Sequence, residues 1–118
     1  MRLAKILLAV SVTSGLFMTA SVADDALIKQ GKKIFNTKDL GNCFACHDVN
    51  GQKIDGPGSF GPKLVGLSYW DDEMLYNTVY DIYAERDIKI SAMPAFGTTG
   101  WLDDAEIKAV VAYLKTIN

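Results

Sequence analysis

Cys43-Phe44-Ala45-Cys46-His47 is the stretch on which the reading of the whole chain turns. Two thiols separated by two residues and followed at once by histidine form the attachment pattern of a c-type haem. The spacing has a chemical reason. Each thiol can add to one vinyl group of the macrocycle and become a thioether. The histidine is then held beneath the iron, where a ring nitrogen serves as axial ligand. The 118 residues include 2 cysteines and 1 histidine, so everything attachment needs is here and no thiol is left over. Other uses of the pattern find less support. A structural zinc site needs four ligands, usually from two Cys/His pairs, and there is no second pair. A thioredoxin-like redox pair is expected beside a βαβ pattern, and no strand alternation precedes Cys43. A disulfide between Cys43 and Cys46 would close a tight, strained loop and leave His47 unexplained.

Upstream, residues 1–23 read as a secretory signal peptide. Arg2 and Lys5 supply a positive start, Ile6 to Thr19 is uncharged and largely apolar, and Ser21-Val22-Ala23 is a small-x-small cleavage site. A retained anchor is the alternative, but the apolar run falls short of the ~20 residues a spanning helix needs, so stable membrane insertion is not expected. Export to the periplasm agrees with the haem pattern, because bacterial c-type haem is attached outside the cytoplasm. The exported chain, residues 24–118, is a single domain by its length. A chain of this size buries only about 60% of its unfolded surface, and a haem would add an apolar filler to its core. Without Arg2 and Lys5 it carries 10 basic against 14 acidic residues, a net charge of −4. That sign gives no support for binding nucleic acid or an anionic membrane. Residues 25–36 read as a first helix, with Ala26, Leu27, Ile34 and Phe35 inward and Lys29, Lys32 and Lys33 outward. Gly31 in its middle costs about 1 kcal/mol relative to alanine, which suggests another helix crossing close to the backbone there.

Downstream, Gly41-Asn42 reads as a turn, and five glycines and two prolines between Val49 and Gly66 predict an ordered loop. Residues 71–85 read as one helix, acidic in its first turn where charge complements the helix dipole. Leu75, Val79, Ile82 and Tyr83 form its apolar stripe. Met74 reads as core, and the aromatic run Tyr69, Trp70, Tyr76, Tyr80 and Tyr83 as packing on the core and the cofactor. Residues 86–101 form a second long connection that contains Met93-Pro94. A thioether is a soft ligand suited to haem iron. Of the two methionines outside the leader, Met93 sits in a loop where Pro94 fixes the backbone, so Met93 is the predicted sixth ligand. A single histidine rules out bis-histidine ligation within one chain. Residues 103–117 read as the last helix, opened by the capping pair Asp103 and Glu106 and striped by Ile107, Val110, Val111, Leu114 and Ile117. It has the pattern to cross the first helix near Gly31, Phe35 and Tyr113.

Gly31…Phe35, Cys43-x-x-Cys46-His47, Gly61-Pro62-x-Leu64, Met93-Pro94 and Val110-Val111-Ala112-Tyr113-Leu114 together resemble a class I cytochrome c over essentially the whole exported chain. The resemblance implies an all-α fold, a small helical bundle with long ordered loops wrapped around one covalent haem c. Cys43 and Cys46 would be the thioether residues, His47 the proximal iron ligand and Met93 the distal one. It also implies that the Pro62 carbonyl orients His47 and that Leu64 touches the haem face.

A narrower likeness is carried by Gly41-Asn42-Cys43, Gly61-Pro62-x-Leu64-Val65-Gly66, Met93-Pro94-Ala95-Phe96-Gly97 and Gly100-Trp101-Leu102-x-x-x-Glu106-Ile107. These resemble the SoxX family, monohaem subunits of thiosulfate-oxidising SoxAX cytochrome complexes. That likeness implies a larger haem-containing SoxA-type subunit as heterodimer partner, a downstream acceptor cytochrome and, indirectly, a thiol carrier protein. It implies no catalytic residue on this chain, because the substrate chemistry of those complexes lies on the larger subunit. A free periplasmic shuttle feeding a terminal oxidase or other reductase is the alternative. A haem enzyme or gas sensor is a third reading, and it requires the iron to be open.

Overall fold

The computed structural model describes residues 18–49 and 60–118. Four α-helices account for its regular structure: α1 Met18–Asn36, α2 Asp72–Tyr80, α3 Ile82–Arg86 and α4 Asp104–Leu114. Short 3-10 turns sit at Cys43–Ala45 and Leu67–Tyr69. Among the described residues there is no strand, only an isolated parallel bridge between Val49 and Leu64. The fold is all-α, consistent with the class I cytochrome c fold.

The largest helix pair is α1 against α4. Gly31 makes it possible. A Cβ built at Gly31 would strike the Ala109 carbonyl and lie 2.9 Å from Tyr113 Cβ, so the two backbones touch where only hydrogen fits. One turn later the Phe35 and Tyr113 rings meet edge to face, centroids 5.2 Å apart. Ile34, Phe35, Ile107, Val110 and Ile117 are all but completely buried. Ala26, expected inward, is exposed. It lies five residues from Gly31, about 140° around a helix of 3.6 residues per turn, and so off the contact face that Leu27, Ile34 and Phe35 share. Lys29, Lys32 and Lys33 are exposed as expected.

α4 starts on the predicted signal. Asp103 accepts from the Glu106 N–H at 2.8 Å, and the Glu106 carboxylate accepts from the Asp103 N–H at 3.1 Å. The helix ends at Leu114, three residues earlier than the apolar stripe suggested. The chain tightens into i→i+3 bonds, Thr116 N–H to Tyr113 and Ile117 N–H to Leu114, both 3.0 Å, which still turn Ile117 into the core. The end of the chain is tied to the segment before α2. Ser68 donates its N–H to the Ile117 carbonyl at 2.9 Å, and Lys115 reaches both the Trp70 carbonyl and Asp72.

The helix expected over residues 71–85 is two helices. Asp71 caps α2 from outside, accepting from Met74 N–H at 3.1 Å. At Asp81 the backbone leaves the helical region (φ −156°, ψ 94°), and its carboxylate caps α3 by accepting from the Tyr83 and Ala84 N–H groups at 3.0 and 3.2 Å. A short acidic side chain that competes for backbone donors is a physical reason for a break, and an apolar stripe cannot register it. Leu75 and Val79 are buried, whereas Met74, read as core, is exposed. The aromatic run packs less than expected: Tyr69 is 89% exposed, Trp70 and Tyr80 are exposed, and Tyr76 stacks on Tyr80 with centroids 5.9 Å apart.

Of the predicted leader, residues 1–17 lie outside the described residues, and the backbone of residues 18–23 continues α1. The glycine-rich loop falls partly outside as well, at residues 50–59.

Candidate haem-binding site

The attachment turn is launched from the end of α1. Gly41 and Asn42 donate their N–H groups to the Ile34 carbonyl, at 3.0 and 3.3 Å, and so satisfy an orphan acceptor of the helix. Asn42 adopts the left-handed conformation (φ 50°, ψ 33°), a backbone state that asparagine tolerates better than most residues. The reversal is tight: a Cβ at Gly41 would meet the Ile34 side chain at 3.1 Å and Cys43 Sγ at 3.2 Å. One helical turn follows, with Cys46 N–H and His47 N–H both donating to the Cys43 carbonyl at 3.0 Å. That turn explains the motif. Positions i, i+3 and i+4 share one side of a helical turn, so both thiols and the imidazole face the same space.

His47 is set by the segment that crosses beneath it. Gly61 donates its N–H to the Cys46 carbonyl at 3.0 Å, and Leu64 donates its own to the Asp48 carbonyl at 2.9 Å. Between these two bonds the Pro62 carbonyl lies 2.8 Å from His47 Nδ1. A carbonyl only accepts, so Nδ1 carries a proton and donates, which in the neutral ring leaves the Nε2 lone pair for a metal. Gly61 lies flat against the ring, where a Cβ would come within 2.6 Å of Nδ1 and 2.8 Å of Nε2.

Cys43, Cys46, His47, Pro62, Leu64 and Met93 line one chamber of about 500 Å³, within the size range of sites that take a ligand or cofactor. All six residues predicted from sequence therefore meet. The cysteines are not joined to each other. Burial is the main influence on the Cys43 thiol and pushes it up to about 12, against a lowering hydrogen bond and with a smaller push from Cys46. Among the described residues no group of three or more His, Cys, Asp or Glu side chains is placed to hold a metal ion by itself. The donor set is two separate thiols, one imidazole nitrogen and one thioether around a mainly apolar space. That set fits a haem, which takes two thioether bonds and two axial ligands.

Sequence reasoning missed much of the rest of the wall. Leu75, Val79, Val110 and Leu114 come to the chamber from α2 and α4. Trp70 and Arg86 also line it, with the guanidinium 5.4 Å from the Trp70 ring centre. Trp101 lines it and meets Phe96 edge to face at 5.6 Å. The aromatic run contained a signal for Trp70. None existed for Arg86, whose place depends on the break at Asp81.

The profile of the family described as "Cytochrome C oxidase, cbb3-type, subunit III" matches residues 26–114. The chain belongs to this c-type cytochrome family. Comparison with curated proteins gives no match. The matched span runs from within α1 to the last residue of α4 and includes every described residue that lines the chamber. A c-type cytochrome is an electron-transfer protein with covalently bound haem c, and the Cys43, Cys46, His47 turn has the spacing for that bond. Among the described residues no helix is long and apolar enough to cross a membrane.

Proposed function

We propose that the chain, exported to the periplasm as residues 24–118, is a monohaem electron-transfer subunit of a thiosulfate-oxidising complex. Cys43 and Cys46 would hold the cofactor through thioether bonds, with His47 and Met93 as its two axial ligands and Leu64 packed on its face. A haem bound there supplies a one-electron couple. The Pro62 carbonyl holds the His47 ring through Nδ1 and would leave Nε2 as the nitrogen that takes the iron. The observation that carries this reading is that His47 and Met93 line the same chamber. With both axial positions taken by the chain, no substrate reaches the iron, and the chemistry left is outer-sphere electron transfer.

Work inside a larger assembly is supported by the sequence likeness to SoxX and by the apolar side chains around the chamber. Phe60 and Trp101 line it and are 78% and 52% exposed, which suits a surface that a larger haem subunit covers. The chain would take electrons from that subunit and pass them to an acceptor cytochrome. With both thiols bound to haem, the cysteine that carries sulfur must belong to another chain. The second reading, a free shuttle to an oxidase, draws on the family description, which names an oxidase subunit.

Native mass in periplasmic extract, followed by haem absorbance, separates the two. Co-elution with a second haem-bearing chain, and reduction by thiosulfate in the presence of a thiol carrier protein, is the expected result. Elution at the mass of residues 24–118 alone would favour the shuttle. Replacing Met93 by alanine should lower the reduction potential, since methionine ligation raises it, and should let carbon monoxide bind the reduced protein. Unchanged ligation in that variant would refute the assignment of Met93.

A further inference from the structure

The break between α2 and α3 has a second effect. In an uninterrupted helix the Tyr80 carbonyl would accept the Ala84 N–H. Here Ala84 N–H goes to the Asp81 carboxylate, and the Tyr80 carbonyl instead accepts Gly97 N–H at 2.9 Å and Thr98 N–H at 3.3 Å. The outer carboxylate oxygen of Asp81 accepts the Thr98 hydroxyl at 2.7 Å. Gly97 lies against the Tyr80 ring so closely that a Cβ would enter it. The far side of the methionine loop is held from the same short stretch. Tyr83 donates its hydroxyl to the Ser91 carbonyl at 2.8 Å, and Ser91 Oγ accepts the Met93 N–H at 3.0 Å.

We propose that Asp81 and Tyr83 are positioning residues for the Met93 sulfur: the helix break at Asp81 turns Tyr80–Tyr83 into a dock that pins the methionine loop on both sides of its ligand. This rests on Met93 being the sixth ligand. Three residues of one stretch, Tyr80, Asp81 and Tyr83, hold the loop at positions 91, 97 and 98, and Met93 lies between those anchors. The grip of the dock therefore determines how readily the sulfur leaves the iron.

The test is a titration of the haem-loaded ferric protein with imidazole, which must displace Met93 to bind. It is read beside the sulfur-to-iron charge-transfer band and the midpoint potential. Tyr83→Phe removes one hydroxyl and should raise the imidazole association constant about five-fold, the equivalent of one net hydrogen bond. Asp81→Ala should raise it at least as much and lower the potential. Asp81→Asn, whose single oxygen can still cap the helix while its amide NH2 donates to Thr98 Oγ1, should restore most of the difference. Ile107→Val, a core change at the α1–α4 side, should reduce stability and leave imidazole binding alone. If Asp81→Ala does not fold, Tyr83→Phe and Thr98→Val decide the matter. Wild-type affinity and potential in Tyr83→Phe and Thr98→Val, beside a Met93→Ala variant that binds imidazole freely, would overturn the dock and leave the ligand reading intact. A Met93→Ala variant with the wild-type band and affinity would overturn both.

Discussion

Replacing Gly31 by alanine would drive a methyl group into the Ala109 carbonyl and against Tyr113 Cβ. Helix propensity favours the change by about 1 kcal/mol, but the obstacle is backbone, which has no alternative rotamer. The helices must separate, and Gly31→Ala should lower the unfolding free energy by about 2 kcal/mol in a urea titration. Cys43 makes a second prediction at this scale. Burial holds its thiol protonated up to about pH 12, and only the thiolate is a competent nucleophile. In folded chain prepared without haem, Cys43 should resist alkylation at pH 8, and denaturant should abolish that resistance. The imidazole offers a contrast in legibility. The motif marked His47 without ambiguity, and the likeness to class I cytochromes c pointed to Pro62 as its partner. The flat approach of Gly61 on the ring left no sign in the local pattern.

At the scale of elements, α4 was readable because its signals are local and mutually consistent. A capping pair at Asp103 and Glu106 precedes a stripe of regular period. Asp103→Ala should lower stability by about 1 kcal/mol, measurable as a drop in the urea midpoint. The α2–α3 region was misread because the stripe of Leu75, Val79, Ile82 and Tyr83 passes through the break as if it were not there. Asp81 competes by taking the Tyr83 and Ala84 N–H groups, and its other oxygen accepts from Thr98, far enough away in sequence that only the folded chain brings them together. That interaction leaves a mark on titration. The Thr98 hydroxyl first, and then the Ala84 N–H, hold the Asp81 carboxyl below its ordinary 3.8. Its folded pKa is depressed, so its contribution to stability is complete above 3.8 and is lost as pH falls through the depressed value. Asp81→Asn should therefore flatten the acid limb of the stability curve and lose, at neutral pH, the part of the stability that the charged carboxylate supplies.

For the molecule as a whole, the fold class could be read from sequence, and the six residues singled out there line one chamber. The attachment pattern is legible because it is short and local, with two thiols and an imidazole within one helical turn. What could not be read was the remaining wall, which α2, α3 and the methionine loop build through contacts between distant residues such as Arg86 with Trp70 and Phe96 with Trp101. An apolar chamber of about 500 Å³ at the centre of so small a chain implies that the cofactor is part of the core. Protein carrying Cys43→Ser and Cys46→Ser, which cannot form the thioethers, should melt at a markedly lower temperature and with less cooperativity, as followed by circular dichroism.

The crossing of α1 and α4 also bears on how the protein is made. Gly31 and Ala109 lie near opposite ends of the described chain, so the earliest helix to emerge during synthesis must wait for the latest before Phe35 is covered. The Cys43, Cys46, His47 turn, by contrast, is built on the segment next to α1. That turn can thus form while half of the α1–α4 contact does not yet exist. A chain truncated before Asp104 would keep that turn beside an uncovered aromatic face, a product that proteases and holding chaperones recognise as unfinished.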